Sequence, residues 1–301
     1  MTAGRLELSV SAADAGERLD RFLAGPIGSR AQAQSLIEAG RVRVNGSARP
    51  KRVVLRAGDV VEVVGGGRGQ EAPTAAPAPF RVAYEDEHLL VVDKPAGVVV
   101  HPARGHPTGT LAQALEGRGA GGGEPGRAGI VHRLDRDTSG LLVVAKDAEV
   151  HRALKALLAS RRLRREYAAL VAGHPSARTG TIDAPLGRDR RDRLKVSINT
   201  DHPRPARTHF EVEQVLRGTA LLRVALETGR THQIRAHLAA IGHPVCGDPL
   251  YGTPGEYGLK RQFLHADHLS FRHPVTAEPI DVRSELPADL EQALGRAAAA
   301  G

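Results

Sequence analysis

One stretch without any hydrophobic period divides the chain. Residues 65–79 read GGGRGQEAPTAAPAP, in which glycine, alanine and proline predominate. Glycine-rich segments behave as flexible coils and proline-rich segments are extended, and neither can bury a core. The sequence therefore predicts a small domain over residues 1–64, a linker over residues 65–79 and a larger domain over residues 80–301.

The net positive charge of the chain indicates which class of molecule it binds. Its 301 residues include 42 lysines and arginines against 34 acids, which gives a formal charge of +8. Such an excess suits a polyanion, and nucleic acid is the usual one. The alternative is an arginine-rich composition that raises the charge without any function. The clustering of the charges must decide between the two.

Cysteine content and hydropathy exclude several classes of protein. Cys246 is the one cysteine, so an internal disulfide and a cysteine-rich zinc site are both excluded. No apolar run approaches the roughly 20 residues needed to span a bilayer. Residues 1–10 mix Arg5 and Glu7 with apolar residues and lack a signal-peptide core. We therefore expect a cytoplasmic protein without a membrane partner.

The pattern of the first domain is typical of a compact α+β unit. Asp20 begins a short helix, and Ser29 is the expected N-cap of a second one. Residues 41–46 alternate and end in Asn-Gly, which predicts a β-hairpin. Residues 53–55 and 60–63 are predicted to be two further strands on either side of a turn.

The second domain is rich in predicted strands and has few helices. Asp147 and Thr231 are the expected N-caps of two helices with apolar stripes. Many strands with few helices predict an α+β catalytic domain on a largely antiparallel mixed β-sheet with flanking helices. The predicted strands are 89–93, 98–100, 141–145, 166–171, 208–215 and 221–226.

Two basic clusters favour a function for the positive charge. Phosphate contact is the functional interpretation of both, and a solvated helix end is the alternative for the second. The first cluster lies in a sixteen-residue stretch without acids, which favours a basic face. The candidates for contact with an RNA backbone are Arg41, Arg43, Lys51, Arg52, Arg161, Arg162, Arg164 and Arg165.

Two polar segments concentrate reactive side chains. Residues 132–140, HRLDRDTSG, lie between apolar runs and form a predicted loop in which a carboxylate would be a nucleophile or a base. In the second segment, Arg235 lies one turn into a predicted helix and could reach a carboxylate on another loop and keep it ionised. Tyr167 follows the second basic cluster, as a core residue or as a ring on which a base stacks. A turn and a solvated helix face are the alternative interpretations of the two segments.

These residues resemble a known family. Residues 132–140 look like the signature of the RluA/RluD family of pseudouridine synthases, and residues 229–235, GRTHQIR, resemble its later motif. The resemblance covers nearly all of residues 80–294, and the first domain resembles the small RNA-binding module named after ribosomal protein S-four. Further motifs occur in the family's order, namely Tyr84–Glu87, Asp93–Gly97, Arg165–Tyr167 and Gly247–Gly252.

The resemblance implies roles for individual residues. Asp135 matches the catalytic aspartate, and Arg235 matches the arginine that pairs with it. Tyr167 matches a tyrosine that packs on the uracil, and Arg133 matches an arginine that helps to extrude the target nucleotide. Asp93 departs from the family pattern, in which asparagine is common at this position, and the loop after Tyr251 is short.

The resemblance also implies a reaction and its partners. A uridine loses its N1–C1′ bond, the uracil turns, and C5 bonds to C1′, so the atoms are conserved and neither a cofactor nor a metal is expected. We expect a monomer that acts on RNA, in particular on large-subunit ribosomal RNA or an assembling large subunit. Two alternatives remain at this point: an RNA-binding assembly factor without catalysis, and a metal-dependent nuclease or glycosyl-transfer enzyme that uses Asp135 and Asp137.

Overall fold

We describe the protein from a computed structural model, which describes residues 5–27, 30–64, 78–103, 106–123 and 126–299. The chain divides into two compact units, Met1–Pro73 and Thr74–Gly301. The predicted linker lies outside the described residues except for residues 78 and 79, and Ser29 lies outside them as well.

The first unit is a four-stranded sheet with three short helices. Its strands are arranged in the order β1-β4-β2-β3. Apolar residues of the helices, such as Leu19, Leu23 and Ile37, are buried against Val61 and Val63 of the sheet. The elements are β1 (Arg5–Ser9), α1 (Leu19–Phe22), α2 (Ala24–Ile27), α3 (Arg30–Glu38), β2 (Val42–Val44), β3 (Ser47–Ala48) and β4 (Val60–Val64).

The predicted hairpin of the first unit is confirmed, but one predicted strand is wrong. β2 pairs with β3 across the Asn45-Gly46 turn, where both residues have positive φ. Residues 53–55 are not a strand, and Val54 makes one isolated bridge to Arg18. The reason is that both edges of β4 are already paired, with β1 on one side and β2 on the other. Sequence analysis missed β1.

The second unit is built around a nine-stranded sheet. The strand order is β5-β6-β7-β14-β8-β13-β12-β9, and β15 pairs with β14. Its strands and helices are β5 (Arg81–Glu85), β6 (Leu89–Lys94), α4 (Leu111–Glu116), β7 (Ser139–Ala145), α5 (Ala148–Ala159), β8 (Arg164–Ala172), β9 (Thr179–Asp183), β10 (Gly187–Arg188), β11 (Val196–Ser197), β12 (Arg207–Leu216), β13 (Thr219–Leu226), α6 (Gln233–Ala240), β14 (Leu264–Arg272), β15 (Pro279–Arg283) and α7 (Ala288–Ala299).

The sheet is largely antiparallel, which confirms the predicted fold class. Within the described residues, the pairing of β14 with β7 is the one parallel contact, through His265 with Ser139 and Ala266 with Gly140. Gly140 has a φ of +112°, and a Cβ at this position would overlap the backbone of Ala266. Glycine is therefore required where the two strands come together.

Side chains from both faces of the sheet are buried. Leu90 and Val144 face one core, which includes residues of α4, α6 and α7. Leu89 and Val143 face a second core, which α5 covers with Val150 and other apolar residues. Because successive side chains of a strand point to opposite faces, the continuous apolar runs of β6 and β7 are those of strands covered on both sides.

Two predicted details of the second unit are wrong. Residues 98–100 are not a strand, because the carbonyls of Val99 and Val100 accept hydrogen bonds from the first N–H groups of α4. The N-cap of α6 is His232 and not Thr231. The predicted cap of α5 is confirmed, since Asp147 accepts from two backbone N–H groups. No helix in the described part of the chain is long and apolar enough to cross a membrane.

Candidate active site

The polar loop 132–138 leads directly into β7. Two buried basic side chains, those of Lys94 and Arg261, donate hydrogen bonds to its backbone carbonyls. Lys94 is fully buried, and its Nζ donates to the carbonyls of Pro95, Val98 and Arg136 at 2.9, 3.1 and 2.9 Å. Arg261 donates through Nη1 to the Asp137 carbonyl at 3.1 Å. The backbone on the C-terminal side of Asp135 is therefore fixed by side chains from two other segments.

The surroundings of Lys94 depress its basicity. Burial lowers the pKa of Lys94 to about 7, although Asp137 and Asp135 oppose the shift. Three carbonyl acceptors match the three N–H donors of an ammonium group. The bond of Lys94 to the backbone of the polar loop therefore depends on the protonation state of its own amine.

Asp135 is paired with the arginine that sequence analysis proposed. The Nη1 of Arg235 lies 3.1 Å from Oδ2 of Asp135. The side chain of Arg235 is 4% exposed and that of Asp135 is 16% exposed. The carboxylate is thus fixed by a buried cation while part of it remains open to solvent.

A second carboxylate completes this arrangement. Asp248 is fully buried, and its two oxygens accept from Nε and Nη2 of Arg235 at 2.6 and 2.8 Å. Burial lowers the pKa of Arg235, but the ion pairs with Asp248 and Asp135 outweigh it and raise the pKa. Arg235 therefore stays charged and keeps a fixed orientation.

The turn that precedes α6 is fixed by Gln233. Its Oε1 accepts from the Thr228 hydroxyl and the Arg230 backbone N–H, and its Nε2 donates to the Arg207 carbonyl. His232, the N-cap, has a φ of +53°, a left-handed conformation that is strained for a residue with a Cβ. The bonds of Gln233 hold the chain in this conformation and place Arg235 in the first turn of the helix.

Tyr167 lies in the same pocket as the ion pair. It is 3% exposed, belongs to β8 and pairs in register with Val224 of β13. Burial raises the pKa of Tyr167; Arg165 opposes the shift and Asp135 adds to it. The phenol is therefore neutral at physiological pH, and its ring is available for packing.

One pocket brings together all the residues that sequence analysis proposed for the chemistry. Asp135, Tyr167 and Arg235 line it, with Arg133 at an exposed position and His232 beside them. Burial lowers the pKa of His232, although Asp135 opposes the shift. The pocket thus presents a carboxyl group paired with a guanidinium, a tyrosine ring and a second, exposed guanidinium.

The four arginines of the second basic cluster lie in different surroundings. Arg165 is 7% exposed and lines a cavity next to the pocket, where its Nη2 donates to the Leu226 carbonyl at 3.3 Å. Arg161 pairs with Glu227 at 2.7 Å. Arg162 and Arg164 are exposed. Contact with RNA therefore stays a prediction for four residues that the structure places in different surroundings.

In the first basic cluster, Arg41, Arg43 and Arg52 are exposed. Lys51 instead pairs with Glu38 at 2.6 Å. Three of the four candidates in this cluster thus present their charge to solvent.

Three residues that the sequence did not point to contact Arg235 or the polar loop. Asp248 and Tyr251 lie in the matched stretch 247–252, but nothing local indicated that they contact Arg235. The Tyr251 ring lies 5.2 Å from the Arg235 guanidinium carbon. Lys94 is the last residue of the apolar strand β6, where its sequence context is that of an ordinary lysine at a strand end. Only their three-dimensional contacts reveal these roles.

No cluster of three or more potential metal ligands occurs in the described part of the chain. Asp137, the second carboxylate of the metal-dependent alternative, accepts hydrogen bonds from Nε and Nη2 of Arg136. The two aspartates of the loop thus have different partners, because Asp135 pairs with Arg235.

Sequence comparison agrees with this geometry. Residues 17–61 match the S4 domain. An uncharacterized RNA pseudouridine synthase of Chloroflexus aurantiacus is 48% identical over 91% of this chain and 88% of the relative. A ribosomal large subunit pseudouridine synthase D of Xanthomonas campestris is 42% identical over 92% of this chain and 88% of the relative.

Solved structures and family profiles give the same result. Human RNA pseudouridylate synthase domain containing 1 superposes with a TM-score of 0.56 and 28% identity, covering 71% of this chain and 86% of the human one. Residues 88–240 match the family described as RNA pseudouridylate synthase, which is half of the chain. The chain belongs to the RNA pseudouridine synthases and carries an S4 domain ahead of its catalytic unit.

Proposed function

We propose that this pseudouridine synthase modifies uridines of large-subunit ribosomal RNA and that Asp135 is its catalytic carboxylate. Several relatives at about 41–42% identity are named ribosomal large subunit pseudouridine synthase D. The observation that carries the catalytic assignment is the contact of Asp135 with Arg235 beside Tyr167.

The reaction moves one bond from nitrogen to carbon. The N1–C1′ bond of the uridine breaks, the released uracil turns, and C5 bonds to C1′ while the C5 proton is lost and N1 gains a proton. An ionised carboxylate can attack C1′ or remove a proton from the sugar, and both steps need the charge of Asp135. Arg235 contacts the carboxylate through Nη1 and fixes its position.

Two further residues handle the base. A uridine in folded RNA must leave its stack before C1′ can reach the Asp135 carboxylate in its pocket. We assign this extrusion to Arg133, which is exposed at the pocket. The ring of Tyr167 packs against the uracil while it turns, since it lines the same pocket and is otherwise buried.

We also infer a division of labour along the chain. The S4 match at residues 17–61 supports RNA binding by residues 1–64, and residues 80–301 carry the catalytic pocket. The exposed Arg41, Arg43 and Arg52 of the first part suit phosphate contacts, because each presents its charge to solvent.

The test is to map pseudouridines across total RNA from cells that lack the protein and from cells that carry the parent, Asp135→Asn or Asp137→Asn. We expect large-subunit sites to depend on the parent protein. Asp135→Asn should leave those sites unmodified, whereas Asp137→Asn, a change of the same size in the same loop, should restore them. Modified sites confined to other RNAs would overturn the substrate, and restoration by Asp135→Asn would overturn the catalytic assignment.

A further inference from the structure

A basic hairpin packs against α6, the helix that carries Arg235, through Val196. Residues 187–204 contain six cationic and three acidic side chains, and within them β10 pairs with β11. Leu194 is 75% exposed and Ile198 is 52% exposed, although both are large apolar residues. Leu194 lies between Arg193 and Lys195, and apolar side chains of this kind can insert between the bases of a nucleic acid.

Two acids of this hairpin, Asp189 and Asp192, accept hydrogen bonds from within the hairpin itself. Asp189 accepts from the backbone N–H groups of Arg191 and Asp192 at 2.8 Å and from the Ser197 hydroxyl at 2.6 Å. Asp192 accepts from the Leu194 N–H at 2.9 Å. The loop is therefore held in one shape by internal bonds, which reduces the entropy that binding would cost.

The remaining acid pairs with one arginine, and other arginines stay unpaired. Asp201 lies 2.7 Å from Arg190. Arg188 and Arg193 are exposed, and no carboxylate in the described part of the chain lies within ion-pairing distance of either. Two guanidiniums thus project from a rigid loop without a counter-charge, which is the arrangement that phosphates neutralise.

The hairpin contacts the ion pair of Arg235 through one side chain, that of Tyr251. Tyr251 Oη accepts from the Val196 N–H at 2.8 Å and donates to the Val196 carbonyl at 3.0 Å. His232 Nδ1 lies 3.1 Å from the same oxygen. The Tyr251 ring lies against Arg235, so the hairpin, the N-cap of α6 and the ion pair share one side chain.

We propose that residues 187–204 grip the RNA strand next to the target uridine and that Tyr251 links this grip to the position of Arg235. Arg188 and Arg193 bind phosphates, and Leu194 contacts a base that is unstacked next to the target. The proposal rests on the proposed function, since it names a further contact of the same substrate. In this arrangement Tyr251 is a positioning residue that acts through Arg235.

The phosphate contacts are tested by the salt dependence of RNA binding. The probe is a labelled RNA stem-loop transcribed from large-subunit ribosomal RNA, titrated by fluorescence anisotropy at several KCl concentrations. Removing one arginine that binds a phosphate of single-stranded RNA should flatten the slope of log K against log salt by about 0.7. We therefore expect Arg188→Gln/Arg193→Gln to flatten the slope by about 1.4, which is twice that amount.

The matched control is Arg178→Gln/Arg217→Gln, which removes two other exposed arginines of the catalytic unit. Arg217 lies in the turn between β12 and β13, at the far end of β13 from the pocket. The control should keep the slope of the parent. A parental slope in the hairpin variant would overturn the grip, and this result does not depend on whether the RNA is modified.

The contact of Leu194 is tested by turnover at low RNA concentration. Leu194→Ser should lower kcat/KM about tenfold, because the apolar side chain that packs on the unstacked base is removed. Val215→Ser, at an apolar residue that is 65% exposed on β12, should leave kcat/KM unchanged. Equal values for the two variants would overturn the base contact.

The link through Tyr251 is tested by Tyr251→Phe, which keeps the ring and removes the hydroxyl. We expect kcat at saturating RNA to fall about tenfold while KM and the salt slope stay at the parental values. If Tyr251 served only to stabilise the fold, the variant would contain less folded protein, and each folded molecule would keep the parental kcat. We therefore measure kcat per folded molecule. An unchanged kcat would overturn the link. Absence of pseudouridine with the parent protein would instead overturn the proposed function.

Discussion

Arg235 and Asp248 form a two-point ion pair in the interior of the catalytic unit, with N–O distances of 2.6 and 2.8 Å. Both side chains are buried, and the pair uses Nε and Nη2 of the guanidinium. Nη1 is therefore the donor that remains for Asp135. Because a guanidinium is planar, fixing two of its nitrogens also fixes the direction of the third.

The first prediction follows from this pair. Asp248→Asn should lower kcat by at least tenfold, since Arg235 loses the partner that sets its orientation. It should also lower the free energy of unfolding by about 3–5 kcal/mol, as expected when one partner of a buried pair is removed. Denaturant unfolding and single-turnover kinetics measure the two effects. Asp183→Asn, which breaks an exposed pair with Arg207, should change stability by about 1 kcal/mol or less.

Tyr167→Phe separates the ring of this side chain from its hydroxyl. The ring is buried beside Asp135 and stays in the variant. We expect RNA affinity to persist while turnover falls, because the phenol oxygen is removed from the pocket and the packing surface is kept. Tyr84→Phe removes a hydroxyl that bonds Asp86 and should leave turnover at the parental level. If Tyr167→Phe also retains full turnover, the side chain serves only to stack.

Low pH should destabilise the first unit through Asp20. Burial raises the pKa of this fully buried carboxyl, but hydrogen bonds from Gln34, Arg18 and Arg30 outweigh burial and lower the pKa to about 2. Its stabilisation is therefore complete above pH of about 4 and is lost as the pH falls towards 2. The shift corresponds to about 2 kcal/mol.

The measurement for Asp20 is the thermal stability of the first unit within the full chain, followed by the methyl NMR signals of Leu19 and Val63. The parent should lose stability between about pH 4 and pH 2. Asp20→Asn should be less stable at neutral pH and should lose most of that pH dependence. Parallel acid profiles for the two proteins would contradict the assignment.

Removal of residues 1–67 should separate RNA holding from chemistry. The pocket residues Asp135, Tyr167 and Arg235 all belong to the second unit. We expect the modification rate at saturating RNA to persist, while RNA affinity and the salt slope both decrease. Collapse of the saturated rate would show that the first unit takes part in the active site.

Local patterns were sufficient to predict several elements. The alternation of residues 208–215 predicted β12, and Asp147 predicted the start of α5, because a side-chain oxygen at an N-cap needs only the next turn of chain. The polar loop around Asp135 stood out because apolar strands flank it on both sides. These signals depend on residues within one or two turns of each other.

The partners of the site could not be predicted in this way. Asp248 is 13 residues from Arg235 and the loop of Asp135 is 100 residues away, so no periodicity relates them. Residues 98–100 have an apolar pattern that suits a strand, but their carbonyls serve α4. The sequence shows which side chains can form hydrogen bonds or ion pairs. Their partners are determined by how the whole unit packs.

The position of β14 has a consequence for how the enzyme matures during translation. This strand lies between β7, which follows Asp135, and β8, which carries Tyr167, yet it is synthesised about a hundred residues after β8. A nascent chain that ends before residue 264 therefore has Asp135 and Tyr167 but lacks the strand that joins β7 to β8. The sheet between β7 and β8 therefore closes only after residues 264–272 have been synthesised, whereas the first unit, Met1–Pro73, is made much earlier. An unfinished chain can thus carry a folded S4 domain before the candidate active site has formed.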